Sequence, residues 1–72
     1  MSNAFMTQRA KIRAYLEEHG SITPMEAFSK LHITKLSTRI GEMNALGAGI
    51  KIEYINDFNE DGNHIRYARY SL

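Results

Sequence analysis

From residue 7 to residue 47 the apolar side chains recur at intervals of three and four; from residue 50 onward they alternate with polar ones. The first spacing is that of helices packed on one side, the second that of half-buried strands. The first helix is predicted to open on Thr7 as its N-cap and to run to His19. Gly20 then supplies a left-handed stop. Its core stripe is Ile12, Tyr15 and Leu16, with Ala10 and Met6 on the same side. Arg9, Lys11, Arg13, Glu17 and Glu18 form the solvated face.

The second helix is the best punctuated. Thr23-Pro24-Met25-Glu26 reads as a capping box with proline at the first helical position, and Ile22 is set to close against Ala27 as a hydrophobic staple. The helix continues through Ala27, Phe28 and Leu31 and stops at His32-Ile33. The third helix is predicted to open on Thr34, with Ser37 in its first turn, and to end at Gly47. Ile33, Leu36, Ile40 and Met43 form its inner stripe, flanked by Leu46. Met25 and Met43 are expected to fill the core. Thr34, Lys35, Thr38, Gly41, Glu42 and Ala45 lie on the opposite side. Two short helices joined by a tight turn across residues 21–40 make a helix-turn-helix.

In the last 23 residues, the register of the two strands depends on the turn between them. A two-residue Asp61-Gly62 turn sets Tyr54 opposite Arg69, apolar against polar. A three-residue loop, Glu60-Asp61-Gly62 with Gly62 left-handed, instead pairs Ile50 with Leu72, Ile52 with Tyr70, Tyr54 with Ala68 and Glu53 with Arg69. The longer loop is the one predicted. The apolar face of Ile50, Ile52, Tyr54, Ala68, Tyr70 and Leu72 is then expected to cover the helices, leaving Ile55, Ile65 and Tyr67 on the outer face. The fold class is α+β, mainly α: three helices followed by a two-stranded antiparallel hairpin, a winged helix-turn-helix.

Composition narrows this picture. Seventy-two residues make one domain without room for a deep catalytic cavity. With no cysteine, disulfides and thiolate metal sites are excluded. No apolar run reaches the ~20 residues of a membrane span and no signal peptide is evident, so a cytoplasmic location is expected. Met1-Ser2-Asn3-Ala4 resembles a vector-derived leader, so residues 1–5 are set aside and the domain is taken as residues 6–72. The formal net charge is +1, and the surplus of cations lies in the helical part. That balance suits a reader of DNA with modest affinity better than a non-specific nucleic-acid coat.

Gln8-Arg9-Ala10-Lys11-Ile12, Tyr15-Leu16, the run from His19 to Ala27, Thr38-Arg39-Ile40 and the closing Arg69-Tyr70-Ser71-Leu72 together resemble a family of small helix-turn-helix proteins found in phages, prophages and bacterial genomes. The resemblance covers nearly the whole chain from Met6. It is most specific from Gly20 to Ala27, at Arg39-Ile40 and at the Tyr70–Leu72 ending. It implies a winged helix with DNA-binding activity.

Both lines lead to a sequence-specific binder of double-stranded DNA, a small transcriptional or phage regulatory factor. Thr34, Lys35, Ser37, Thr38, Arg39 and Glu42 are expected to face the major groove, where an outward glutamate can accept from a cytosine amine. Arg39 stands at the edge of that face, within reach of Glu42 or Glu26. At the tip of the wing, Asn59, Asn63 and His64 are expected to reach the adjacent backbone or minor groove, although Glu60 and Asp61 there oppose phosphate. His19, His32 and His64 are too scattered for a metal site. No cofactor, small-molecule ligand or catalytic constellation is evident, so no enzymatic activity is expected. The alternative is a protein-interaction or dimerisation module. In that reading the outer apolar face of Ile55, Ile65 and Tyr67 binds another protein or a second copy about a two-fold axis.

Overall fold

Each of the first two helices starts where its sequence offers an oxygen to the amides of its first turn. The computed structural model describes residues 7–72; the leader and Met6 lie outside them. Helix α1 spans Gln8–His19, with the Thr7 hydroxyl accepting from the Ala10 amide at 3.1 Å. It ends on Gly20 at φ +87°, a backbone conformation that costs glycine little. Helix α2 spans Pro24–Leu31 behind a complete capping box. Thr23 Oγ1 accepts from the Glu26 amide at 3.2 Å, and Glu26 Oε1 accepts from the Thr23 amide at 2.9 Å. His32 then adopts the left-handed conformation at φ 57°, turning the chain toward the next helix.

Helix α3 spans Leu36–Ala45 and begins later than its sequence suggests. Thr34 is not its cap. The N-cap is Lys35, and no side chain bonds to the first-turn amides. Ile33 explains the shift: it is buried, and its amide donates to the Ala27 carbonyl at 2.9 Å, so the turn is closed before a helix can form at Thr34.

The sheet has three strands, one more than the predicted hairpin. Strand β1, Ser21–Ile22, occupies the residues just before the α2 cap. Strands β2 (Lys51–Phe58) and β3 (His64–Ser71) form the hairpin, and the sheet order is β1-β3-β2, all antiparallel. β1 pairs Ser21 with Ser71 and Ile22 with Tyr70. The hairpin register is the one derived from the three-residue loop: Ile52 opposite Tyr70, Glu53 opposite Arg69, Tyr54 opposite Ala68. Gly62 sits at φ +81°, and its amide donates to the Asn59 carbonyl at 3.0 Å, closing the tip.

The core is Ile12, Leu16, Ile22, Ala27, Ile33, Leu36, Ile40, Met43, Ile50 and Tyr70. Burying a large aliphatic side chain fully contributes about 1.5–3 kcal/mol, and five of these isoleucines and leucines are almost wholly inaccessible. Several apolar side chains are placed otherwise than their period suggests. Met25, Phe28 and Leu46 are exposed, and so is Ala10. The helical body ends before it reaches Ile52 and Tyr54, which are 52% and 58% exposed although they share the core-facing side of the hairpin. On the other side, Ile55 and Tyr67 are half-buried, where an open surface was expected.

Asn44 fixes the sheet to the helices. Its Oδ1 accepts from the Ile50 amide at 2.7 Å, and its Nδ2 donates to the Ile50 carbonyl at 3.0 Å. One side chain at the end of α3 thus gives the residue before β2 a partner for both its backbone groups.

Candidate nucleic-acid interface

Helix α3 meets solvent with small side chains. Thr34, Lys35, Ser37, Thr38, Gly41 and Ala45 are all exposed, on the side opposite the buried Leu36, Ile40 and Met43. Ser37 and Thr38 stand in the first helical turn, and Thr34 and Lys35 immediately precede it. A face this low lets a helix approach another surface closely, with three hydroxyls able to donate or accept. Among the described residues, the cation of this face that makes no ion pair is Lys35.

Arg39 and Glu42 are tied together. Arg39 Nη1 donates to both carboxylate oxygens of Glu42, at 2.9 and 2.8 Å, while Nε donates to Gln8 Oε1 at 3.0 Å. The side chains are 31% and 42% exposed, so the pair adds only about 0.5 kcal/mol to stability. Its larger effect is on charge. Glu42 presents no net negative field on α3, and Arg39 is held against the start of α1. Of the two carboxylates within expected reach of Arg39, Glu42 takes the pair and Glu26 does not, and a further bond runs to Gln8, 31 positions away, which the sequence did not single out.

Arg9 stands one residue beyond Gln8. It is exposed, and among the described residues it makes no ion pair. With Thr7, Gln8, Arg39 and Glu42 it lines a shallow polar cleft of about 320 Å³. A cation in the first turn of a helix opposes the positive end of the helix dipole. Local stability therefore does not account for Arg9, and this was the signal available in the sequence.

The tip of the wing is less open than expected. Asn59 Oδ1 accepts from the Asp61 amide at 3.0 Å and the Asn63 amide at 2.9 Å, so that side chain builds the turn. His64 Nε2 lies 3.1 Å from Asn56 Oδ1, and its ring meets Phe58 edge-on with centroids 5.8 Å apart. Of the three predicted wing residues only Asn63 has its side chain outside the hydrogen bonds of the described residues. The α3 residues and the wing residues are separate groups, with no hydrogen bond between them among the described residues.

A third surface lies between α2 and β3. Met25 and Phe28, 74% and 59% exposed, face Ile65 and Tyr67 across an apolar groove of about 830 Å³. The apolar surface expected at Ile55, Ile65 and Tyr67 is thus redistributed: Ile55 and Tyr67 are partly covered, and α2 supplies the exposed side chains.

Two phenols are shifted from their ordinary value. Burial, followed by the carboxylate of Glu26, raises that of Tyr15, and burial, followed by the nearby Tyr54, raises that of Tyr70. Both shifts are structural and lie away from α3. Among the described residues no cluster of histidine and carboxylate side chains is arranged to hold a metal ion, and no helix is long and apolar enough to cross a membrane.

No curated protein and no solved structure matches the chain. A family model does, over residues 7–72, from the α1 cap to the last residue. Three helices, a tight turn between the second and third, and an antiparallel hairpin after them fit that description, and the chain belongs to the family of winged helix-turn-helix domains, a DNA-binding fold.

Proposed function

We propose that this domain binds double-stranded DNA with α3 in the major groove, as a small transcriptional or phage-type regulatory factor. The observation that carries the reading is the composition of the α3 face. It is exposed and low, bears hydroxyls at Thr34, Ser37 and Thr38, and holds Lys35, a cation with no ion pair among the described residues, while the Glu42 carboxylate is already paired with Arg39. Lys35 supplies a phosphate contact, Ser37 and Thr38 approach base edges, and Arg9 anchors the flanking backbone. Arg39 acts by holding α3 against α1, and its pairing leaves it a smaller direct share than Lys35. At the wing, Asn63 is the residue best placed for a backbone contact.

Fluorescence anisotropy with a labelled duplex over a series of salt concentrations tests this. Each phosphate contact contributes about 0.9 to the slope of log affinity against log salt. Lys35→Ala and Arg9→Ala should each reduce the slope by roughly one. Unchanged slopes in both variants, on a duplex that the unaltered chain binds, would refute the assignment.

The groove between α2 and β3 favours a second reading, in which the domain also binds a second copy of itself. Few phosphate contacts per chain make a two-fold dimer reading two half-sites the natural arrangement. In sedimentation equilibrium, association weakened by Phe28→Lys supports this, and a monomer at high micromolar concentration removes it.

A further inference from the structure

The register of the hairpin sorts its charges by face. Lys51, Glu53, Asp57 and Arg69 take the odd-numbered positions, together with Ile55 and Tyr67. The even-numbered face begins at the buried Tyr70 and the partly buried Ala68 and runs outward through Tyr54, Asn56, Phe58, His64 and Arg66, with no carboxylate. Its ionisable groups apart from the phenols are one arginine and one histidine. Tyr54 and Phe58 are 58% and 67% exposed, since the helical body ends before it reaches them, and their rings are left open to solvent. The Arg66 guanidinium already lies over the Tyr54 ring, 4.4 Å from its centroid, and Asn56 lies between the two rings along the strand with its carbonyl oxygen on His64.

We infer that this face of the wing binds single-stranded nucleic acid, with unpaired bases stacking on Phe58 and on Tyr54, whose ring Arg66 leaves to meet the phosphate backbone. Exposed flat rings, a hydrogen-bonding amide and a cation without an opposing carboxylate are what an anionic chain of aromatic bases requires. A duplex does not fit, because its bases already stack on each other and offer their edges instead of their faces. A protein partner fits less well, since among the described residues the exposed aliphatic side chains on this side are limited to Ile52 and, past the end of β3, Leu72. Four residues separate the two rings along β2, about 14 Å at 3.4 Å per residue, enough for a few nucleotides. Glu60 and Asp61 at the tip repel phosphate, so the bound strand runs from Phe58 toward the helical body and not past the turn.

This surface is independent of α3, and the test separates them. The probe is a fluorescein-labelled oligothymidylate of about twelve nucleotides, titrated at low salt alongside a duplex of the same length. Stacking on an aromatic ring is lost to alanine at a cost corresponding to roughly five- to a hundredfold in affinity. Tyr54→Ala should weaken oligothymidylate binding about tenfold or more, and Phe58→Leu, which keeps the apolar surface but removes the ring, should do likewise. Tyr54→Phe should bind as the unaltered chain does. All three should keep their duplex affinity, while Lys35→Ala should lose duplex affinity and keep that for the single strand. The side chains replaced are exposed, and thermal unfolding confirms that each variant is folded. The inference is overturned if the unaltered chain does not bind oligothymidylate, if Tyr54→Ala and Phe58→Leu bind it unchanged, or if Tyr54→Phe loses as much as Tyr54→Ala.

Discussion

In the helical body, apolar side chains at helical spacing disappear into a common core. In the wing they are paired in register yet remain in water. Of the ten buried hydrophobic residues, Tyr70 alone comes from β2 or β3. Helix α1 and helix α2 are also closed at their starts by Thr7 and Thr23, whereas the wing is held by its backbone ladder, the Glu53–Arg69 ion pair and the turn around Gly62. The difference separates two sources of order. Burial fixes the body, while register and turn chemistry fix the wing, and the wing's side chains are left free to meet something else.

Truncation at matched positions gives the largest contrast. Ile40→Ala, at a site 1% exposed, should cost about 3 kcal/mol, enough to unfold much of a domain of this size. Ile52→Ala, at a site 52% exposed, should cost under about 1 kcal/mol. Urea unfolding followed by circular dichroism measures both, and similar midpoints would remove the distinction between body and wing.

The joint between the regions comes next. Asn44→Ala leaves both backbone groups of the buried Ile50 without their side-chain partner, a loss of about 2 kcal/mol. Hydrogen exchange should quicken in β2 and β3 more than in α1. Equal quickening everywhere would mean that the wing and body open as one unit.

Smaller effects come from local chemistry in each region. Gly62→Val forces a β-branched residue into the left-handed region and should cost between about 1 and 2 kcal/mol. Thr23→Ala removes one side of the α2 capping box and should cost about 1 kcal/mol. Thermal unfolding measures both. A Gly62→Val variant as stable as the unaltered chain would mean that the wing tolerates another turn.

The alkaline limb is the gentlest probe. Folding raises the phenol pKa of Tyr15 in the body and Tyr70 in the wing, chiefly by burial, so the folded chain holds those protons more tightly than the unfolded one. Stability should be flat below the ordinary tyrosine value of about 10 and fall as pH rises from there toward the raised values. Tyr15→Phe and Tyr70→Phe should each flatten the decline, and an unchanged decline in both would assign it to other groups.

How much of this was legible in the sequence depended on the range of each interaction. The capping box of α2 and the stops at Gly20 and Gly62 are written within four residues, and all were readable. The hairpin register was readable because only one loop length matched apolar to apolar. Strand β1 was not, because Ser21 and Ile22 find their partners at Ser71 and Tyr70, at the other end of the chain. The bond from Arg39 to Gln8 was hidden for the same reason. Met25, Phe28, Ile52 and Tyr54 failed differently: period gives the side of an element on which a residue lies, but not whether the rest of the protein extends far enough to cover it. The α3 face came through because its exposed residues are those opposite the apolar stripe, although the helix begins two residues after the expected cap, at Leu36.

In the proposed complex α3, and not the groove between α2 and β3, meets duplex DNA. Backbone amide chemical shifts recorded while a duplex is added at low salt test it most directly. The largest changes are expected from Thr34 to Gly41, with a second cluster around Gln8 and Arg9 and little at Met25, Phe28 and Ile65. Changes concentrated at Met25, Phe28 and Ile65, with α3 silent, would contradict it.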